Sequence, residues 1–246
     1  MKAVLVSEDS SLSWSEFEEP APADQEVLIK IHATAINRAD LMQRRGFYPP
    51  PPGASPVMGL ECAGEVAAVG DQCTRYAIGD KVCALLAGGG YAQYTAVDEG
   101  SVLPMPAGLS FEQAAGLPEV FATAWLNIFI EAGLEAGEKV IIHAGASGVG
   151  TAAIQLCNAF GSPCFVTVGS ADKLDTCLAL GASAGSNRHE GSFLDKAAEF
   201  AGAQGVDVIL DPVGAGYLAD NLSLLGVGGR LVLIGLMSGA DRKSVV

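Results

Sequence analysis

Residues 139–150, Lys-Val-Ile-Ile-His-Ala-Gly-Ala-Ser-Gly-Val-Gly, run from an apolar strand through a glycine-rich turn into an amphipathic helix expected over 151–159. Such a turn suits a nucleotide phosphate. Gly148 and Gly150 let the backbone approach a pyrophosphate, and the N–H groups opening the helix meet it with the positive end of the helix dipole. Ala146, Ser147 and Val149 complete the candidate contacts of this loop. The glycines read G-x-x-G-x-G and not G-x-G-x-x-G, so the order of elements carries the assignment. An apolar run over 164–168 follows at the distance a βαβ crossover requires, then a helix over 171–180, a strand over 206–211, a helix over 217–225 and a strand over 230–235. Residues 120–246 are therefore read as a Rossmann doubly wound, parallel-sheet domain, with Gly235 and Leu236 at its last strand as further cofactor contacts. The alternative is a tight strand-to-helix turn that holds no ligand.

An NAD site would place a carboxylate about 20 positions after the glycines, on the ribose 2′-hydroxyl. Here the second strand ends Thr167-Val168-Gly169-Ser170, with no acid. Lys173 follows one turn into the next helix, and Arg188, after a short third strand around Ala184, is expected at the same sheet edge. Two cations facing Gly169 and Ser170 favour the 2′-phosphate, hence NADPH over NADH. The competing reading makes Ser170 a helix cap and both cations solvated surface charges. Asp172 lies in a first helical turn, where the dipole alone favours a carboxylate.

Half of the 246 residues are hydrophobic and the net charge is −14. That charge excludes a nucleic-acid or anionic-membrane partner, whose phosphates demand clustered Lys and Arg. The six cysteines include no C-x-x-C pair and lie mostly in apolar runs, as reduced core residues of a cytoplasmic protein would, and no closely spaced ligands suggest zinc. Neither a membrane-length apolar stretch nor a cleavable leader is expected.

Residues 1–119 read as a separate, mainly β domain, with strands over 3–6, 26–35, 62–69, 81–86 and 92–96. Gly88-Gly89-Gly90 precedes a strand and is read as a hairpin turn, and Tyr48-Pro-Pro-Pro-Pro-Gly53 as a stiff loop. A helix over 120–131 leads into the second domain, and Thr123 on it offers a hydroxyl to the cofactor.

Asn37-Arg38-Ala39-Asp40, Gly59-Leu60-Glu61-Cys62-Ala63-Gly64-Glu65-Val66, Gly79-Asp80-Lys81-Val82, Gly90-Tyr91-Ala92-Gln93-Tyr94, Gln113 to Pro118 and the loop ending Gly148-Val149-Gly150 occur in the order of one family. From Met1 to about Gly239 the chain resembles the zeta-crystallin-type quinone oxidoreductases of the medium-chain dehydrogenase/reductase superfamily. Asn37 to Arg44, Tyr48 with its prolines, and His143 to Thr151 are most similar to the p53-inducible group. The resemblance implies an α/β protein with a GroES-like N-terminal domain, a Rossmann domain, NADPH held between them, quinones as small-molecule substrates, and a homodimer where the C-terminal part of the family is present. Enoyl or alkenal reduction with the same cofactor is the close alternative.

Zinc-dependent relatives carry a Cys at the position of Asn37 and a His at that of Leu60, besides a four-cysteine lobe near 85–105. None of these is present. The resemblance places Asn37 and Tyr48 near the nicotinamide, as catalytic hydrogen-bond donors to the quinone oxygen. Their alternatives are a turn residue bonding its own backbone and an aromatic packed on the proline loop. His32, inside an apolar strand, and His143, at a strand end, are read as structural, and Glu61 as a brace. Family members continue for about another quarter of their length. The polar tail over 241–246 therefore reads as a C-terminally truncated form, which leaves open an impaired isoform that only binds NADPH or a partner.

Overall fold

A computed structural model describes residues 1–239, so the polar tail over 241–246 lies outside the described residues. The chain divides into two compact units that meet in sequence at Glu119 and Val120.

In the first unit, five antiparallel strands lie in the order Tyr94–Asp98, Glu26–Ala33, Glu61–Val69, Lys81–Leu85, Val102–Pro104. Val27, Ile29, Cys62, Val66 and Val82 pack one core, while Ala63 and Cys83, pointing to the other face, join Ala114 and Ala115 in a second. A hairpin of Lys2–Val6 and Leu12–Glu16 forms a second small sheet, bridged to the segment after the triple glycine by Val4 N–H to the Tyr91 carbonyl and Gln93 N–H to the Lys2 carbonyl. The triple glycine does not make a hairpin turn. It connects Lys81–Leu85 to Tyr94–Asp98, which are not neighbours in the sheet, and so crosses over its end. The glycines permit the crossing because the loop is bonded tightly to another segment: Gly89 N–H donates to the Val57 carbonyl, Gly90 N–H to Gly59 and Tyr91 N–H to Met58. A Cβ on Gly90 would stand 2.8 Å from the Glu61 carbonyl oxygen.

The second unit holds a five-stranded parallel sheet in the order Ala184–Asn187, Cys164–Val168, Val140–Ile142, Val206–Asp211, Leu225–Leu233. That is the 3-2-1-4-5 arrangement of a doubly wound fold. Val140 and Ile142 face one core with Ile154, Cys157 and Val166, and Ile141 faces the other with Phe165, Ile209 and Ala197. Both faces are covered, which is why the strands read as unbroken apolar runs and not as alternation. The last strand begins five residues earlier than expected, with an irregular register opposite Val206–Val208 where Gly226, Gly228 and Gly229 cluster. The expected helix over 120–131 is Pro118–Trp125 continued as a wider π-helical stretch, Leu126–Glu131. There the Asn127 side chain donates to the Thr123 carbonyl at 2.8 Å and the Ala132 N–H reaches the Asn127 carbonyl five residues back.

Candidate active site

The helix after the glycine loop is Gly148–Ala159, three residues longer at its start than its apolar pattern suggests. Ser147 is its N-cap, its hydroxyl accepting from the Gly150 N–H at 3.0 Å. Packing explains both glycines. A Cβ on Gly148 would stand 2.8 Å from Val120 Cγ1, and one on Gly150 would stand 2.5 Å from the Gly145 carbonyl oxygen. Their bareness lets the loop close on itself and on the helix at Pro118–Trp125.

At the carboxyl ends of the central strands lies a groove of about 240 Å³. It is lined by Ala144, Ala146 and Ser147 after the first strand, by Gly169, Lys173 and Arg188 after the second and third, and by Tyr217 and Met237. Gly169 lies beside Arg188: a Cβ there would make an ordinary 3.7 Å contact with the guanidinium. The two cations are exposed, and among the described residues no carboxylate lines the groove. Asp172, next to them, points to Ser170, whose hydroxyl chiefly holds the Asp172 carboxyl below its ordinary value. A groove lined by a capped helix start and by two cations fits an anionic nucleotide with separate phosphates.

Of the residues expected at the cofactor, Ala146, Ser147, Gly169, Lys173 and Arg188 line this groove. Gly148, Val149 and Gly150 form the helix turn behind it, and Thr123 sits on the helix Pro118–Trp125. Ser170 caps the helix Ala171–Ala179, without a side-chain bond to its backbone. Gly235 and Leu236 lie against the Pro212–Gly214 turn, where a Cβ on Gly235 would stand 2.9 Å from the Pro212 carbonyl oxygen. Ala144, Thr167, Val213 and Tyr217 line the groove without having been singled out by the sequence. Their place at the ends of strands or the start of a helix is the only signal they carry.

In the first unit, Asn37 is the N-cap of a short helix, Arg38–Arg44. The Asp40 carboxylate accepts the Asn37 N–H at 2.7 Å, a capping arrangement written in the sequence as Asn-x-x-Asp. The Asn37 side chain is held elsewhere, its Nδ2 donating to Glu61 Oε1 at 2.7 Å. Glu61 is 1% exposed and its second oxygen accepts the Glu119 N–H at 2.9 Å. Burial pushes the Glu61 carboxyl above its ordinary value, with those two hydrogen bonds opposing. Tyr48 is 47% exposed, and its hydroxyl makes no hydrogen bond within the described residues. His32 is not enclosed by its strand: it faces solvent, stacked on Phe111 at 4.4 Å with Glu65 at 3.9 Å. Among the described residues no group of three or more His, Cys, Asp or Glu side chains is placed to hold a metal ion, and no helix is long and apolar enough to cross a membrane.

Residues 23–107 match the alcohol dehydrogenase GroES-like domain, and residues 148–245 match the zinc-binding dehydrogenase family. A quinone oxidoreductase of Rattus norvegicus is 35% identical over 217 residues, which is 88% of this chain and 66% of that protein. The chain thus spans just under two thirds of that relative's length. A crystal structure of Escherichia coli quinone oxidoreductase complexed with NADPH superimposes with a TM-score of 0.83 at 31% identity, covering 97% of this chain and 73% of that one. The CurK enoyl reductase superimposes with a TM-score of 0.88 at 30% identity, covering 98% and 76%. With a GroES-like first unit, a Rossmann second unit and these relatives, the chain belongs to the quinone oxidoreductase group of the medium-chain dehydrogenase/reductase superfamily.

Proposed function

We propose that this chain carries the cofactor and substrate residues of an NADPH-dependent, zinc-independent quinone reductase. One observation carries the cofactor reading: Lys173 and Arg188 line the same groove as the Ser147-capped loop, and among the described residues no carboxylate lines it. The loop would hold the pyrophosphate, and the two cations the 2′-phosphate. Bound NADPH supplies a hydride to an electron-poor acceptor. The chain's own residues bind and polarise that acceptor. Asn37 Nδ2 has two hydrogens; one is committed to Glu61, and the other is available to a quinone oxygen. Tyr48 offers an uncommitted hydroxyl. Zinc independence is supported by residue type, since an amide at Asn37 and an alkyl group at Leu60 occupy positions where zinc-dependent relatives carry ligands. A quinone requires less polarisation than a ketone, because its product is an aromatic hydroquinone.

Reduction of an activated carbon–carbon double bond by the same cofactor is the second reading, supported by the likeness to the CurK enoyl reductase. Loss of NADPH absorbance with an ortho-quinone, run beside an enone of similar size, tests the two. Faster turnover of the quinone is expected. Turnover of the enone alone would replace the first reading with the second, and turnover of neither would remove both.

A further inference from the structure

Behind the groove, four side chains that are almost fully enclosed make one hydrogen-bonded chain: Asp211 (0% exposed), Asn221 (0%), His143 (1%) and Thr167 (3%). They come from three strand ends and a helix, and their donor and acceptor roles are forced in sequence. The Val213 and Gly214 N–H groups donate to Asp211 Oδ1 at 2.6 and 3.1 Å, and Asn221 Nδ2 donates to Oδ2 at 2.9 Å. Asn221 Oδ1 is therefore the acceptor facing His143, and His143 Nε2, 2.7 Å away, carries the hydrogen. The neutral ring then presents a bare Nδ1. The Thr167 hydroxyl donates to it at 3.0 Å, and the Thr167 oxygen receives the Ala144 N–H at 3.3 Å. Burial, with Phe193 and Tyr217 against the ring, holds the imidazole below its ordinary pKa despite the Asn221 bond and the nearby charges of Asp211 and Asp220.

Both ends of this chain reach the groove. At one end Ala144 adopts φ +52, a left-handed conformation unusual for a residue with a Cβ, and its carbonyl accepts the N–H of Ser147, the helix cap. At the other end Asp211 fixes the turn of Val213, which lines the same groove. We propose that His143 and Thr167 are positioning residues for the nucleotide: they hold Ala144 in its left-handed turn and tie the phosphate loop at Ala144 and Ser147 to Val213 of the same groove. This rests on the NADPH reading above. The relay acts through Ala144 and Ser147 and touches no reacting atom.

The test is an NADPH fluorescence titration of the parent, Thr167→Val, Thr167→Ser, His143→Gln and the His143→Gln/Thr167→Val double variant, with near-UV circular dichroism as the check of fold. Valine keeps the volume of threonine but removes both hydroxyl roles. Glutamine keeps the bond to Asn221 and leaves the Thr167 hydroxyl without its acceptor. Each of these single variants should raise the NADPH Kd about tenfold, the cost of one buried hydrogen bond and the loop geometry it holds. The double variant should lose little more than either single, because both cut the same link, and Thr167→Ser should bind like the parent. Parental affinity in folded Thr167→Val, a double loss equal to the product of the singles, or loss of fold in both single variants would overturn the inference. A parent that binds no NADPH would instead overturn the cofactor reading on which it stands.

Discussion

The Asn37 side-chain amide donates to Glu61 Oε1 at 2.7 Å, while Glu61 Oε2 accepts the Glu119 N–H at 2.9 Å. Both oxygens of a buried carboxyl are thus acceptors, a state only the ionised form supplies without loss. Protonation would turn one oxygen into a donor facing another donor and release either Asn37 or the Glu119 backbone. Glu61→Gln imposes the same conflict permanently, and we expect kcat/KM for a quinone to fall by about tenfold, the cost of one mispaired buried group. The sign of the pH dependence follows from the upward shift. Activity is complete above the Glu61 pKa and is lost as pH falls through it, so the acid limb should lie above the ordinary carboxylate range and should vanish in Glu61→Gln. A limb unchanged in the variant would separate Glu61 from the orientation of Asn37.

Tyr48 follows the helix Arg38–Arg44 on a loop stiffened by Pro49 to Pro52, so its phenol is held with little ordering cost when substrate binds. If its hydroxyl donates as charge builds on the quinone oxygen, Tyr48→Phe should lower kcat/KM by about tenfold, roughly 1.4 kcal/mol, with NADPH affinity unchanged. A ring that only packs on substrate predicts a silent Phe variant and a raised KM for Tyr48→Ala.

Residue type at Asn37 and Leu60 also sets an expectation about metal. Elemental analysis of the purified protein should find less than stoichiometric zinc, and chelators should leave turnover unchanged. One zinc per chain, removed together with activity, would require a different polarising group.

The buried imidazole of His143 gives the second unit an acid sensitivity. Its pKa is depressed in the folded state, so the stability it contributes is complete above the unfolded value of about 6.5 and is lost as pH falls from there towards the folded value. The melting temperature should drop more steeply between about pH 6.5 and 5 in the parent than in His143→Gln, which has no proton to take up. Parallel curves would mean that another group governs the acid limb.

How much of this was legible in the sequence depended on range. The alternation of apolar strands and helices after residue 139 gives the doubly wound unit, because the central strands there are covered on both faces and each crossover must return to the same sheet. The helix at Arg38–Arg44 was missed although Asn37 and Asp40 spell its cap, since seven residues show little periodicity. The strand Leu12–Glu16, Leu-Ser-Trp-Ser-Glu, escaped because four of its five residues are exposed and no apolar face marks it. Gly88 to Gly90 look like a turn locally, and only the pairing with Val57 and Gly59 reveals a crossover. Lys173 and Arg188 are legible because the strand Cys164–Val168 ends without a carboxylate, and the structure puts both on one groove. The relay from Ala144 to Asp211 joins residues up to 78 positions apart, and no spacing rule points to it.

Lys173 and Arg188, exposed on the groove, are the groups that would distinguish a 2′-phosphate from a 2′-hydroxyl. Titration of the parent and of a Lys173→Ala/Arg188→Ala double variant with NADPH and with NADH separates the 2′-phosphate from everything the two cofactors share. Charge-assisted contacts to a phosphate predict that NADPH affinity falls more than tenfold in the variant, and less so at high salt because both cations are exposed. NADH affinity should change little, the loop at Ser147 being intact. Equal losses for the two cofactors, or no loss for NADPH, would contradict the placement of the nucleotide in this groove.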